Sequence, residues 1–288
     1  MTYSLITLSY NKLACTRRCL SALVTDSDVG EPWELIAVDN GSTDGSGEWC
    51  DHELTALGAA HGVPVTVLHN SGNVGCSYSR NRAIAAARGD FYVFVDNDVA
   101  PRTRRWIPNL RAALDTVPRA GMAGAKMVYP WVPYPIQCAG VGISARGHVC
   151  FRGRGEPIDD PRFARQEVVQ CLISACLMIP AALIRKHGAF DEAFHPVQFE
   201  DFDLCYRLRK AGYTAVYAPS AEMYHFESVT TQGTPTVNNA AVVVRNGLRF
   251  QKRWQPLFAQ EDGPSEEACR WRKIEPVSFD AIGALPLV

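Results

Sequence analysis

Phe91-Tyr92-Val93-Phe94-Val95-Asp96-Asn97-Asp98 decides how the chain is read. Five apolar residues in succession cover both faces of an extended segment, the pattern of a strand buried in the middle of a parallel sheet. The run stops at two carboxylates flanking one amide. In open α/β sheets ligands collect beyond the carboxyl ends of the strands, and two acids at that edge suit a divalent cation that also touches phosphate oxygens. The first expectation is a metal–diphosphate site at Asp96 and Asp98. The plainer alternative is that both acids only cap the strand and solvate a turn.

Upstream, short apolar runs alternate with helical periodicity from residue 4 to about 128, as repeated βα units require. Strands are expected at Leu5 to Ser9, Trp33 to Val38 and Val65 to Leu68, with a further one at Ala120 to Val128. Tyr10-Asn11-Lys12 turns the chain into a helix whose apolar face carries Leu13, Leu20, Leu23 and Val24. Asp39 ends the second strand, before a loop with three glycines and several small capping groups. A helix from Ser77 to Arg88 follows the loop His69 to Gly75, with Gly89 expected as a left-handed stop. Trp106, Leu110, Ala113, Leu114 and Val117 outline another helix.

Downstream the pattern changes. The proline-rich stretch Tyr129 to Pro135 breaks regular structure, and Gly140 to Gly155 reads as hairpins or loop, with Arg152 and Arg154 expected on an exposed flexible segment and contact with phosphate or an acceptor as the alternative. Val168 to Ile179 is a long strand or a pair of strands, followed by a short helix closed by Gly188. The segment Phe199 to Gly212 opens with acids and closes with cations and glycine, which suits a helix dipole. Its periodicity places Asp203, Arg207 and Lys210 on a solvated face with an i,i+4 ion pair, and turns Asp201 inward. An inward acid needs a partner or a cleft, so Asp201 is the candidate general base, with Glu200 as its acceptor-binding or pKa-tuning neighbour. His225 alone reads as a structural histidine, but it would complete a carboxylate site for Mn²⁺ or Mg²⁺ if the chain folds back onto Asp96 and Asp98. Val237 to Trp254 reads as a terminal helix. Its basic residues Arg245, Arg249, Lys252 and Arg253 are expected to solvate the surface; holding a diphosphate or meeting an anionic membrane are the alternatives.

The 288 residues are 47% hydrophobic and 20% charged, ordinary globular usage, and the formal net charge of -1 gives no basic field of the kind nucleic-acid binders carry. Ten cysteines without a C-x-x-C pair point to free thiols in a reducing cytoplasm. The N-terminus shows no signal-peptide pattern and no apolar run is long enough to span a bilayer.

Taken together, the segments resemble the family-2 glycosyltransferases of the GT-A fold, especially their bacterial rhamnosyltransferase-like branch. The resemblance rests on Leu8-Ser9-Tyr10-Asn11, Val38-Asp39-Asn40-Gly41-Ser42-Thr43-Asp44-Gly45-Ser46, Asn73-Val74-Gly75 with Ser79-Arg80-Asn81, Asp96-Asn97-Asp98, Phe199 to Leu204, and His225, and it covers about residues 3 to 254. It implies a Rossmann-like, mostly parallel sheet flanked by helices, in one domain over 1–254: a nucleotide-sugar half to about 128, an acceptor half over 129–230 and a helix over 231–254, before a tail over 255–288. The implied donor is UDP-, dTDP- or GDP-linked, bound by Ser9, Asn11, Asp39, Asn73, Arg80, Asn81, Asp96 and Asn97. The base lies near Ser9 and Asp39, the ribose near Asp96, and Arg80 and Asn81 near the nucleotide or diphosphate. Asp98 and His225, with Asp96, would bind the metal, and Asp201 would deprotonate a glycan, lipid-linked or natural-product acceptor in an inverting transfer. The tract Tyr129 to Gln166 matches no motif of the family and leaves the acceptor unnamed. Two competitors share these features: a sugar-1-phosphate nucleotidyltransferase, which would carry a glycine-rich basic loop where this chain has Ser9-Tyr10-Asn11-Lys12-Leu13, and a non-catalytic nucleotide-sugar binder.

Overall fold

A computed structural model describes residues 1–227 and 239–288. In chain order the elements are β1 (Tyr3–Ser9), α1 (Leu13–Thr25), β2 (Trp33–Asp39), α2 (Ser46–Trp49), α3 (Thr55–Ala60), β3 (Val65–His69), α4 (Cys76–Ala86), β4 (Phe91–Val95), β5 (Val99–Pro101), α5 (Trp106–Thr116) and β6 (Ala120–Val128). The short strands β7 (Ile136–Cys138), β8 (Val141–Ile143), β9 (Val149–Phe151) and β10 (Glu167–Val169) follow. The chain continues with β11 (Cys176–Pro180), α6 (Ala181–His187), α7 (Glu200–Lys210), β12 (Thr214–His225) and α8 (Ala240–Phe258).

The main sheet runs β10-β12-β6-β11-β4-β1-β2-β3, with β5 and β7 on its margin. One side, β3-β2-β1-β4, is wholly parallel, which is why Leu5, Ile6, Leu35, Ile36, Val93 and Phe94 are apolar on both faces and buried. The strand that opened the reading is parallel to β1 on one side and antiparallel to β11 on the other, so it sits at the change of direction. That is the place where an open α/β sheet leaves a crevice.

Two glycines show how tightly the loops pack. Gly41 has φ 78°, and a Cβ on it would lie 2.4 Å from Gly72 Cα, so the exit loops of β2 and β3 touch backbone to backbone. Gly89 is not the left-handed stop the sequence suggested. α4 ends at Ala86 with Ala87 already extended, and Gly89 is required because a Cβ would lie 2.6 Å from the backbone nitrogen of Ser4.

Two expectations for the second half are corrected and a third is extended. Asp203 is fully buried, because α8 covers that face of α7: Arg207 Nε donates to Asp203 over 2.8 Å, Arg253 Nη1 over 2.7 Å and Trp254 Nε1 over 2.9 Å. The i,i+4 pair is present, but on the inside. Arg154 is likewise buried, with a forked pair of hydrogen bonds to Glu227 at 2.7 and 3.0 Å, so its segment is anchored. Arg245, Lys252 and Arg253 are exposed as expected, but the arginines also hold neighbouring chain: Arg245 donates to the His195 carbonyl, Arg249 to the Ala193 carbonyl and Arg253 to Asp191. Val237, the expected start of that helix, lies outside the described residues.

The boundary drawn after Trp254 falls inside α8, and the chain beyond it returns across the domain. Trp271 meets Phe151 edge-on, Phe279 packs on Phe226, and the Val288 nitrogen donates to the Arg102 carbonyl over 2.8 Å. Among the described residues no helix is long and apolar enough to cross a membrane.

Candidate active site

A cleft of about 910 Å³ opens at the carboxyl end of β4. Its floor is the Asp96-Asn97-Asp98 turn, its near wall includes Asn40, Asn73 and Arg80, and its far wall carries Ser174, Glu200, Asp201 and His225.

The floor is made by topology. β5 pairs antiparallel with the end of β12 in the register His225↔Val99, which returns the imidazole to the acidic turn. His225 Nε2 stands 3.3 Å from Asp98 Oδ1, and Phe226 donates its N–H to the Asp98 carbonyl over 3.0 Å. Asp96, Asp98 and His225 each offer a ligand atom, and these lie within 4.8 Å of one another. Two carboxylates and an imidazole converging at that separation fit a divalent cation such as Mn²⁺, and tolerate Mg²⁺. Burial pulls His225 down, but the Asp98 charge and hydrogen bond outweigh it and the imidazole stands above its ordinary value. The middle residue, Asn97, donates to Thr16 Oγ1 over 2.7 Å and so ties the turn to α1.

Arg80 is the hinge-pin between the walls. It is buried, donates through Nη2 to Asp96 Oδ1 over 2.7 Å and through Nη1 to Glu200 Oε1 over 3.1 Å, and lies over the Phe190 ring. Cys76 Sγ is 3.0 Å from the same Glu200 oxygen, while Glu200 Oε2 is buried with no hydrogen-bond partner. Asp201 turns the other way. Its two oxygens accept backbone N–H groups, Oδ2 from Ser174 over 3.2 Å and Oδ1 from Phe202 over 2.8 Å. Burial, helped by the neighbouring Glu200 charge, pushes its carboxyl up to about 7.

Of the residues singled out in the sequence, Asn73, Arg80, Asp96, Asn97, Asp98, Glu200, Asp201 and His225 all line this one cleft. Ser9, Asn11, Asp39 and Asn81 do not line it. Ser9 is buried, and its carbonyl accepts the Asn40 N–H over 2.8 Å. Asn11 accepts from the Thr43 N–H over 2.8 Å, Asp39 accepts from the Ser42 N–H over 3.2 Å and faces His69, and Asn81 clasps the Phe190 backbone at 2.9 and 3.0 Å.

Sequence reasoning missed Asn40, whose side-chain oxygen receives Asn70, Ser79 and the Val74 N–H and whose amide reaches Asn73. It also missed Gln137 and Glu227 on the far wall, and expected Arg154, which lines it beside them, on a flexible loop. Glu227 had a usable signal: it stands two residues beyond His225, the spacing that returns a side chain to the same face of an extended segment.

Known proteins share this architecture. The model of glycosyl transferase family 2 matches residues 4–172. An uncharacterized protein, y4gI, of Sinorhizobium fredii is 32% identical over 234 residues, 77% of this chain and 24% of its own length. The N-acetylglucosaminyl-diphospho-decaprenol L-rhamnosyltransferase of Mycobacterium tuberculosis is 29% identical over 242 residues, 73% of this chain and 72% of its own. The Mycobacterium tuberculosis pre-mycofactocin glycosyltransferase is 28% identical, with 66% of this chain and 37% of that protein matched. Among solved structures, GalNAc-T7 with UDP, GalNAc and Mn²⁺ superposes with a TM-score of 0.69 at 13% identity, over 90% of this chain and 49% of that one. The mannosyltransferase PcManGT of Pyrobaculum calidifontis, in complex with GDP-Man and Mn²⁺, gives 0.55 at 18% identity, over 81% and 59%. The chain thus spans a quarter to a half of several proteins it matches, and most of the rhamnosyltransferase. The mixed sheet, the crevice at β4 and the family match over more than half the residues lead to one statement: the chain belongs to glycosyl transferase family 2 and has the GT-A fold.

Proposed function

We propose that the protein is a metal-dependent, inverting glycosyltransferase that moves a sugar from a nucleoside-diphosphate donor to an acceptor hydroxyl, with Asp201 as general base. The observation that carries this reading is that one cleft is lined by both the Asp96, Asp98 and His225 ligand set and the carboxylate of Asp201. The activities of the named relatives, and the nucleotides and Mn²⁺ bound in the solved neighbours, support the reaction class. Ten free cysteines, eight of them buried, support a reducing cytoplasm as the setting.

In this reading Asp98 and His225, with Asp96, hold a cation. When bound, it supplies the positive charge that offsets the leaving diphosphate. Asp201 takes the proton of the acceptor hydroxyl as that oxygen forms its bond to the anomeric carbon and the bond to the diphosphate oxygen breaks. One displacement inverts the centre and needs one base. The two backbone N–H groups on Asp201 fix its rotamer and leave each oxygen a free lone-pair direction for the acceptor. Asn73, Arg80, Asp96 and Asn97 bound the donor directly, while Ser9, Asn11, Asp39 and Asn81 shape the loops around it.

The test is a thermal-shift panel of UDP-, dTDP- and GDP-sugars with and without Mn²⁺. One nucleotide should raise the melting temperature strongly, and only with the cation. Equal shifts that ignore the cation would refute the reading, and pyrophosphate release from a nucleoside triphosphate and a sugar phosphate would identify a nucleotidyltransferase instead.

A further inference from the structure

The far wall holds a line of polar groups that the transfer step does not use. His225 Nδ1 lies 2.9 Å from Gln137 Oε1, Gln137 Nε2 donates to Glu227 Oε1 over 3.1 Å, and Glu227 is gripped by the Arg154 fork and by the Tyr129 hydroxyl at 2.7 Å. Gln137 is 1% exposed, so water does not compete for its amide. Arg154 Nε donates in turn to the Arg272 carbonyl over 2.9 Å, and its guanidinium lies 3.8 Å from the Trp271 ring centroid. The line therefore runs from the candidate metal ligand to the C-terminal segment.

Its chemistry has a direction. A carboxylate held by arginine and a phenol only accepts, so Gln137 must turn its NH₂ toward Glu227 and its carbonyl toward His225. A carbonyl only accepts, so His225 must carry its proton on Nδ1. The lone pair of a neutral ring then lies on Nε2, which faces Asp98 at 3.3 Å. That pair is satisfied by a proton on Nε2 or, when the ring is neutral, by a cation between the two acceptors. A ligand histidine whose other nitrogen is held by a fixed acceptor is pre-set in tautomer and ring orientation.

We infer that Gln137 and Glu227, anchored by Arg154, are positioning residues that set the His225 tautomer so that Nε2 is presented to a divalent cation. The inference rests on the metal-site reading above and extends it to three residues outside the ligand set.

The experiment titrates Mn²⁺ into the full chain in the presence of UDP, dTDP or GDP, with free Mn²⁺ read by electron paramagnetic resonance. The proteins compared are wild type, Gln137→Met, Glu227→Gln and His225→Ala. Gln137→Met keeps the length and loses the acceptor. Glu227→Gln keeps the shape and lets the Gln137 amide turn over, so it tests direction without opening a cavity. Both should weaken Mn²⁺ binding by about tenfold or more, the usual loss when a histidine ligand's outer partner is removed. A purely structural role would lower the melting temperature and leave the Mn²⁺ affinity of the folded fraction unchanged. Affinities within twofold of wild type for both variants, with His225→Ala still losing binding, would overturn the inference and leave the metal site standing. No Mn²⁺ binding by wild type with any nucleotide, or an unaffected His225→Ala, would overturn the metal site and the inference together.

Discussion

The two sides of the sheet are built by different means. From β1 to β4 the pairing is parallel and unbroken, Tyr3↔Trp33 through Ser9↔Asp39, and the loops at the strand ends are positioned by backbone regularity. Across β11, β6 and β12 the strands change direction, and the β12–β6 register shifts at Thr214/Ala215 and again at Ala218/Glu222. There and at the seam with β4, ion pairs centred on a buried side chain do the positioning: Arg80 with Asp96 and Glu200, Arg154 with Glu227, and Asp203 with Arg207 and Arg253. The difference teaches that the parallel side is specified by pattern and the mixed side by particular charged partners. Repeating hydrophobicity tolerates substitution, and buried charges do not.

The comparison breaks most sharply at the seam. Arg80→Met leaves the Asp96 and Glu200 carboxylates without their cation, and should cost about 3–5 kcal/mol in urea unfolding, the usual penalty for removing one partner of a buried pair. A loss below about 1 kcal/mol, the scale of an exposed pair, would show that the two sides are joined by other contacts. Asp203→Asn is the next test. It removes the charge that three donors converge on, and about 2 kcal/mol should be lost, as for hydrogen bonds to an ionised group.

The third test is pH. Asp201 must be ionised to act as base and its carboxyl stands at about 7, so turnover should fall about tenfold per pH unit below that value, equivalent to about 1.4 kcal/mol each. The stability sign is the opposite of the usual carboxylate case. The native state holds the extra proton between about pH 4 and 7, so this group's contribution to stability declines as pH rises through that window. Asp201→Asn should flatten that decline in equilibrium unfolding followed against pH. The smallest effect belongs to the C-terminal segment: Trp271→Ala removes the ring under Arg154 and should cost about 1 kcal/mol or less of stability, with nucleotide-dependent thermal shifts preserved.

Legibility follows the same division. The strands from Leu5 to Val95 were readable because period and residue type agree with local structure, and Asp96 and Asp98 were placed by where the apolar run ends. That Asp201 faces the cleft was readable from helical periodicity. Asp203 was assigned to the wrong face because the helix that covers it comes some fifty residues later, and no local signal announces that contact. Arg154 looked like part of a loose glycine loop for the same reason: its partner is Glu227, 73 residues away. His225 was joined to Asp96 and Asp98 by ligand chemistry on the condition that the chain folds back, and by resemblance; the pairing of β12 with β5 is the physical reason it arrives beside them.

The most direct measurement is turnover of the nucleotide-sugar by Asp201→Asn, paired with donor binding by the same variant in Mn²⁺. With Asp201 as the base, binding stays within about twofold and turnover falls by about 10²–10⁴-fold, the range that general-base catalysis supplies. Turnover at the wild-type rate would remove Asp201 from the mechanism, and a donor affinity lost along with turnover would make it a binding residue instead.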